Sequence, residues 1–146
     1  MKPIRLLSAL MRFSMGLSMT PEELNSVKDV DVNCAKHISV INDIFSWEKE
    51  LLASRTGHQE GSALCSSVQV LAEEAHLSTE ASKRILFNMC REWELCHMEL
   101  VAKRKREVGE GLREEVMRYM DGLEYQMSGN ELWSQSTLRY IGVIAE

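Results

Sequence analysis

Three oxygen-bearing side chains recur at intervals of four in the segment N-D-I-F-S-W-E-K-E, residues 42–50. They are the amide of Asn42, the hydroxyl of Ser46 and the carboxylate of Glu50. On an α-helix, residues four apart lie on one face, about 40° and about 6 Å from each other. Mg²⁺ prefers such oxygen ligands and is often completed by the phosphates of a substrate. The spacing predicts a magnesium and phosphate site, although the triplet alone is also typical of ordinary solvated helix positions.

The neighbours of this triplet extend the pattern. Asp43 follows the asparagine, Ile44 is apolar, and Lys49 precedes the glutamate, where its ammonium can reach a phosphate that the metal holds. The segment resembles the N-D-x-x-S-x-x-K-E metal motif of class I terpene cyclases, and it is most similar to that of fungal sesquiterpene cyclases of the aristolochene synthase type. Near the end of the chain, Arg139-Tyr140 match the Arg-Tyr pair of that family at the family's separation from the metal motif.

The resemblance implies a Mg²⁺-dependent reaction in which farnesyl diphosphate, or another prenyl diphosphate, is ionised and the resulting cation cyclises in an apolar cavity. Electrostatic stabilisation of the leaving group supplies most of the catalysis. The resemblance assigns two sets of ligands. The implied Mg²⁺ ligands are Asn42, Ser46 and Glu50, and the implied diphosphate-binding residues are Lys49, Arg139 and Tyr140.

Trp133, six residues before Arg139, occupies a place where this branch carries an aromatic residue facing the carbocation. The attraction between a cation and an aromatic ring is strongest for tryptophan. A lone tryptophan is otherwise a core or lid anchor, and both interpretations stay open. Trp47 and Trp93 have no counterpart of this kind, so we expect them to pack.

The resemblance covers only the C-terminal half of such an enzyme. No two aspartates are adjacent, so the family's D-D-x-x-D/E motif is missing, and Asp29 and Asp31 have neither its spacing nor its position. The family's diphosphate-sensing arginine has no match either, because Arg5 is too close to the metal motif. We expect residues 1–146 to be a single partial domain that lacks activity alone. The alternative is a non-catalytic helical protein or interaction module, and an uncovered apolar face would favour homo-oligomers.

Apolar residues recur at helical spacing throughout, without alternating strand patterns or glycine-rich phosphate loops, which predicts an all-α fold. This agrees with the antiparallel helical bundle of the resembled family. Thr20, Glu23 and Pro21 mark a helix start, and the opening turn can form a separate short helix. Ser78 is a candidate N-cap, Gly57 to Gly61 form a break, and Ser128-Gly129-Asn130 are expected to end a helix. The predicted helices are 4–17, 21–52, 62–76, 79–108 and 112–127, before a tail of residues 131–146.

Composition and charge limit the remaining classes of function. The chain has 146 residues, of which 45% are hydrophobic, and a formal net charge of −5, which argues against nucleic acid as the main partner. The basic run at 103–106 lies in the last turns of a predicted helix, where it complements the helix dipole. No segment is apolar enough for a signal core or a membrane span. We therefore expect a soluble, cytoplasmic protein.

Four cysteines and two histidines are candidates for metal binding or redox chemistry. The cysteines show no disulfide framework and are expected to be free thiols in a reducing compartment. Some of these residues are spaced like zinc ligands, but they fall within predicted helices, where we expect them to pack. The residues are Cys34, His37, Cys65, Cys90, Cys96 and His97.

Overall fold

The computed structural model describes residues 2–56 and 66–141, with side chains for residues 6–55 and 66–140. Within these ranges the chain is helical and contains no strand, so the predicted all-α fold is confirmed. The predicted break at Gly57 to Gly61, and Cys65, lie outside the described residues. The helices are α1 (Lys2–Ser14), α2 (Pro21–Ser26), α3 (Lys28–Thr56), α4 (Ser67–Glu74), α5 (Thr79–Val108), α6 (Glu114–Ser136) and α7 (Leu138–Ile141), with one 3₁₀ turn at Gly109–Gly111.

The chain folds as two compact units. The first unit comprises Met1–His37 and Glu92–Ser128, and the second comprises Ile38–Arg91 and Gly129–Glu146. Helices α3, α5 and α6 each contribute residues to both units. The metal motif and the C-terminal Arg-Tyr pair both fall in the second unit.

The core of the first unit is built from the start of α3 and the middle of α6. Buried residues of α6 recur at spacings of three and four, which is the period of one helix face. Helix α1 packs on α6 at Gly122, where an added Cβ would lie only 2.8 Å from the sulfur of Met15 and 2.9 Å from that of Met11. The buried apolar residues of the unit include Val27, Val30, Cys34, Val116, Tyr119, Met120, Leu123 and Met127.

The core of the second unit forms around the metal-motif segment of α3. Ile44 and Trp47 of α3 pack with Val68 of α4 and Leu86 of α5. Trp47 is 8% exposed, so its predicted packing role is confirmed. Partly buried neighbours complete the cluster and include Val40, Phe45, Leu51, Leu71 and Phe87.

Several predicted helix boundaries are confirmed by their capping contacts. The Thr20 hydroxyl accepts from the Glu23 N–H at 3.2 Å, and the Glu23 carboxylate accepts from the Thr20 N–H at 2.8 Å, which completes a capping box. The helix that begins there is the separate short α2. Ser78 caps α5 through the N–H of Ala81, and Gly109 ends it with a positive φ of 61°.

The predicted stop at Ser128-Gly129-Asn130 is wrong, because α6 continues to Ser136. One glycine costs a helix only about 1 kcal/mol, which packing on either side readily offsets. The Ser128 hydroxyl donates back to the carbonyls of Glu124 and Tyr125, so it is accommodated within the helix. Trp133 therefore lies on α6 and not in a tail.

Other boundaries also differ from the prediction. Helix α3 continues to Thr56, four residues beyond the predicted end, and α6 begins at Glu114 instead of residue 112. Helix α1 ends at Ser14, where Gly16 takes a φ of 64° and the Leu17 N–H bonds the Arg12 carbonyl, as in a Schellman motif. In the predicted helix 62–76, the described helical part is Ser67–Glu74. Ala75, just beyond its end, is exposed.

In the part of the chain that the structure describes, no helix combines the length and the apolar character that crossing a bilayer requires.

Candidate metal and diphosphate site

The predicted metal ligands lie along one continuous helix face in the second unit. Ser46 is buried at 3% exposure, whereas Asn42 and Glu50 are half-buried. The Ser46 Oγ donates to the Glu50 Oε1 at 2.6 Å, so these two side chains lean toward each other across one helical turn. The face thus offers an amide oxygen, a hydroxyl and a carboxylate.

Tyr140 joins the C-terminal motif to this face. Its hydroxyl donates to the Asn42 Oδ1 at 2.9 Å, across 98 residues of sequence. Burial raises the pKa of Tyr140, the negative charge of Glu50 raises it further, and Arg139 opposes both. The phenol therefore stays protonated at neutral pH and remains a hydrogen-bond donor.

Trp133 lies against Tyr140. The two ring centroids are 5.7 Å apart and the ring planes meet at 77°, an edge-to-face contact. Trp133 is 47% exposed, so it is not buried in a core. Its predicted role toward a carbocation stays a prediction.

The two predicted diphosphate-binding cations are placed differently. Lys49 is half-buried on α3, next to Glu50, whereas Arg139 is exposed on α7, next to Tyr140. Within the described ranges, neither side chain makes an ion pair or a side-chain hydrogen bond. Both cations are therefore available to an anion, although the structure does not bring them into contact with each other.

Sequence reasoning left Asp43 without a role, and the structure gives it one. Its Oδ2 accepts hydrogen bonds from the Ser67 N–H at 2.8 Å and from the Ser67 Oγ at 2.6 Å. Ser67 is the first residue of α4. The only sequence signal was a pair of serines before an apolar run, which marks a helix start but does not identify a partner 24 residues away.

Two of the residues with zinc-like spacing, Cys34 and His97, are packed against backbone carbonyls, as predicted. The thiol of Cys34 points at the Leu123 carbonyl, 3.5 Å away, and burial raises its pKa to about 12, with help from Asp31. A zinc-binding cysteine must be a thiolate, which this environment strongly disfavours. The His97 Nε2 lies 3.3 Å from the Met120 carbonyl, and burial lowers the pKa of that ring.

The basic run at 103–106 is placed in the last turns of α5, as predicted. Lys103 and Arg104 lie 3.8 and 3.9 Å from carboxylate oxygens of Glu107 on the same helix. Such exposed pairs contribute little to stability. The contacts are those of a solvated helix end.

The chemistry of the metal-motif face fits a hard divalent cation. Its three candidate ligand groups are all oxygens, and none is a thiolate or imidazole, the ligand types that softer transition metals favour. Ser46 and Glu50 satisfy each other in the structure at 2.6 Å, so a cation would find their oxygens already close together.

Sequence similarity identifies the family of the chain. Residues 4–94, more than half of the chain, match the family model described as "Terpene synthase family 2, C-terminal metal binding", and the chain belongs to that family. The predicted resemblance is thereby confirmed. The matched range contains the whole metal motif, whereas Arg139 and Tyr140 lie beyond it.

Within this family, the chain is similar to individual aristolochene synthases. The chain is 60% identical over 140 residues to the aristolochene synthase of Aspergillus terreus, and 58% identical over 135 residues to that of Penicillium roqueforti. The crystal structure of aristolochene synthase from Penicillium roqueforti superposes on it with a TM-score of 0.79 at 52% identity. These alignments cover 92% to 95% of this chain but only 39% to 43% of the relatives, so it spans less than half of their length.

Proposed function

We propose that this chain provides a Mg²⁺ and diphosphate site of a sesquiterpene cyclase that ionises and cyclises farnesyl diphosphate. The observation that carries the proposal is the 2.9 Å hydrogen bond from Tyr140 to Asn42. It places the second sequence motif directly on the face of the first. Two motifs that are distant in sequence meet at one point, as the handling of a single metal-bound diphosphate requires.

In this proposal Asn42, Ser46 and Glu50 hold Mg²⁺, which when bound supplies Lewis-acid stabilisation of the departing diphosphate. Tyr140 has a single O–H, which donates to Asn42 in the structure and turns to a diphosphate oxygen when the ligand binds, so that the Asn42 Oδ1 is freed for the metal. Lys49 and Arg139 add positive charge to the site. These groups stabilise the charge that develops as the carbon–oxygen bond breaks.

Trp133 is proposed to present its ring to the carbocation. Its half-exposed ring is held edge-to-face by Tyr140, so it lies beside the proposed diphosphate contact. A cation formed by loss of diphosphate begins next to the leaving group, where an electron-rich ring face would attract it.

The proposal assigns binding to this chain and makes turnover depend on further ligands. The 146 residues contain no adjacent aspartates, so they lack the aspartate-rich motif that resembled enzymes use for their other metal ions. We expect the chain alone to bind Mg²⁺ with diphosphate while releasing little or no hydrocarbon product. Its proposed location is the cytoplasm, which suits the free thiols of Cys34 and Cys96.

The test is calorimetric titration of the 146-residue chain with inorganic diphosphate in the presence and absence of Mg²⁺. Binding that requires Mg²⁺ and disappears in Asn42→Ala/Glu50→Ala supports the proposal. Asn25→Ala/Glu73→Ala, which removes one exposed amide and one exposed carboxylate elsewhere, is the matched control and should bind like the parent. Absence of Mg²⁺-dependent binding by folded parent protein would overturn the proposal. Incubation with farnesyl diphosphate then measures turnover by the volatile hydrocarbon released.

A non-catalytic, self-associating module is the second candidate, and the surface of α1 favours it. Leu6, Leu10 and Phe13 follow one another at helical spacing with exposures of 61%, 53% and 86%. Aligned apolar side chains of this kind are typical of interaction surfaces. Sedimentation equilibrium of the parent and of Leu10→Ser/Phe13→Ser tests this, and a parent that remains monomeric at high concentration would exclude self-association through α1.

A further inference from the structure

Asp43 stands inside the metal motif, but its carboxylate is engaged with α4. Both hydrogen bonds from Ser67, at 2.8 and 2.6 Å, end on the same oxygen, Oδ2. The first N–H groups of a helix have no acceptor within that helix, and a negative charge is favourable at this end. Asp43 of α3 therefore supplies the hydrogen-bond acceptor and the negative charge that the start of α4 lacks.

The start of α4 is tied to α3 by packing as well. The Ser66 hydroxyl accepts from the Val68 N–H at 3.2 Å, which satisfies a second N–H group of α4. Val68 itself is fully buried against Ile44 and Trp47. The polar contact of Asp43 and this apolar contact together fix α4 on one side of the metal-motif segment.

We propose that Asp43 is a positioning residue for the metal site, and that its clasp on Ser67 fixes the rotation of α3 about its own axis. The inference rests on the proposed function of the metal-motif face. With about 100° per residue, Asp43 lies about 20° beyond Glu50 at the edge of that face. A tie at this edge keeps Asn42, Ser46 and Glu50 directed to the same side.

A direct role as a metal ligand is the competing explanation, because Asp43 is a carboxylate next to Asn42. The two explanations differ in what they require of Ser67. If Asp43 acts through Ser67, removal of the Ser67 hydroxyl must weaken metal binding. If Asp43 binds the ion itself, the same removal leaves binding unchanged or strengthens it, because it releases one hydrogen bond from the carboxylate.

The experiment is a titration of the 146-residue chain with Mn²⁺, a paramagnetic ion that takes similar oxygen ligands, followed by electron paramagnetic resonance. We expect Asp43→Ala to weaken binding about tenfold, as loss of groups that orient ligands does. Ser67→Ala should weaken it less, and the double variant should be no weaker than Asp43→Ala. Asp43→Asn keeps an oxygen acceptor and should restore most of the affinity.

Glu48→Ala is the matched control. Glu48 also ties α3 to another helix, through Lys83 of α5, but it lies on a different side of α3 from the metal ligands. It should bind Mn²⁺ like the parent, because the clasp is specific to the edge of the metal face. Equal weakening in Glu48→Ala and Asp43→Ala would overturn the inference, since any loosening of α3 would then have the same effect.

Two further outcomes would also overturn it: parent-like binding in Asp43→Ala, or weak binding in Asp43→Ala with parent-like binding in Ser67→Ala. Amide hydrogen exchange separates this inference from the proposed function. The proposed function fails if the parent shows no Mn²⁺ binding, or shows only binding that Asn42→Ala leaves intact. In that case the hydrogen bonds between Asp43 and Ser67 are tested by amide hydrogen exchange at residues 67–70. Exchange there should be faster in Asp43→Ala than in the parent, and an unchanged rate would overturn the inference about Asp43 as well.

Discussion

Two tyrosines, one in each unit, make the same contact with α3 in different surroundings. In the first unit the Tyr119 hydroxyl donates to Asp31 at 2.9 Å, and in the second unit the Tyr140 hydroxyl donates to Asn42 at 2.9 Å. Tyr119 is 1% exposed and Tyr140 is 7% exposed, so burial does not separate them. The difference lies in what surrounds each acceptor.

Around Asp31 the polar groups satisfy one another. The same Asp31 oxygen accepts from Ser8 at 2.8 Å, and the guanidinium of Arg12 lies over the Tyr119 ring. Around Asn42 not all of the polar groups have partners among the described residues. The neighbouring oxygens of Ser46 and Glu50 bond each other, and the cations of Lys49 and Arg139 make no ion pair within the described ranges. The tyrosine hydrogen bond is thus part of a closed network of polar groups, a structural lock, in the first unit, and part of a candidate ligand site in the second.

The largest expected effect separates the two acceptors by stability. Asp31→Ala removes the acceptor of a fully buried phenol, which should lower the free energy of unfolding by about 2 to 3 kcal/mol. Asn42→Ala removes a neutral acceptor with one such hydrogen bond, whereas Asp31 is a carboxylate with two, so it should cost only about 0.5 to 1.5 kcal/mol while abolishing Mg²⁺-dependent diphosphate binding. Urea denaturation measures both variants. Similar destabilisation in the two would break the distinction between lock and site.

The next effect separates the two donors by ligand binding. Tyr140→Phe removes one hydrogen bond to the bound diphosphate, and we expect its affinity to fall about tenfold, which corresponds to about 1.4 kcal/mol. Tyr119→Phe should bind diphosphate like the parent. Calorimetry in saturating Mg²⁺ gives both affinities. Equal losses would show that Tyr140 acts through the fold and not through the ligand.

Local sequence signals predicted the fold class and most helix starts. Thr20 and Ser78 act through neighbours three residues away, so their capping roles can be inferred from sequence alone. The continuation of α6 through Gly129 depends instead on packing along the whole helix, which no local signal contains. The sequence of α5 likewise does not indicate which of its sides is buried. Ile85 and Met89 are about 40% exposed, whereas Ser82 and Cys90 are fully buried.

For the candidate site as well, local geometry could be predicted from the sequence, whereas contacts between distant residues could not. The face of Asn42, Ser46 and Glu50 was predicted because helical geometry alone aligns residues four apart. The Tyr140 to Asn42 bond and the Asp43 clasp join residues 98 and 24 positions apart, so only the tertiary structure shows them. Resemblance to a family indicated that Tyr140 matters, but it did not indicate its partner.

A third effect is the pH dependence of stability that the buried Tyr119 causes. Burial, followed by the charge of Asp31, raises the pKa of Tyr119 from 10.0 to about 12. Between those values the unfolded chain loses a proton that the folded chain keeps, so stability is full below pH 10 and falls as pH rises toward 12. In Tyr119→Phe this part of the alkaline loss should disappear. Urea denaturation at pH 9 and pH 11 measures it, and an unchanged slope would contradict the raised pKa.

The smallest effect uses two glycines of α6, one in each unit. Gly129 has helical geometry, and nothing lies within 4 Å of an added Cβ, so Gly129→Ala should raise stability by about 0.5 to 1 kcal/mol by restricting the unfolded chain. At Gly122 the same change would press on the sulfurs of Met15 and Met11, which must move and offset that gain. Thermal melts should therefore rank Gly129→Ala above Gly122→Ala. The opposite order would mean that α1 does not pack closely on α6.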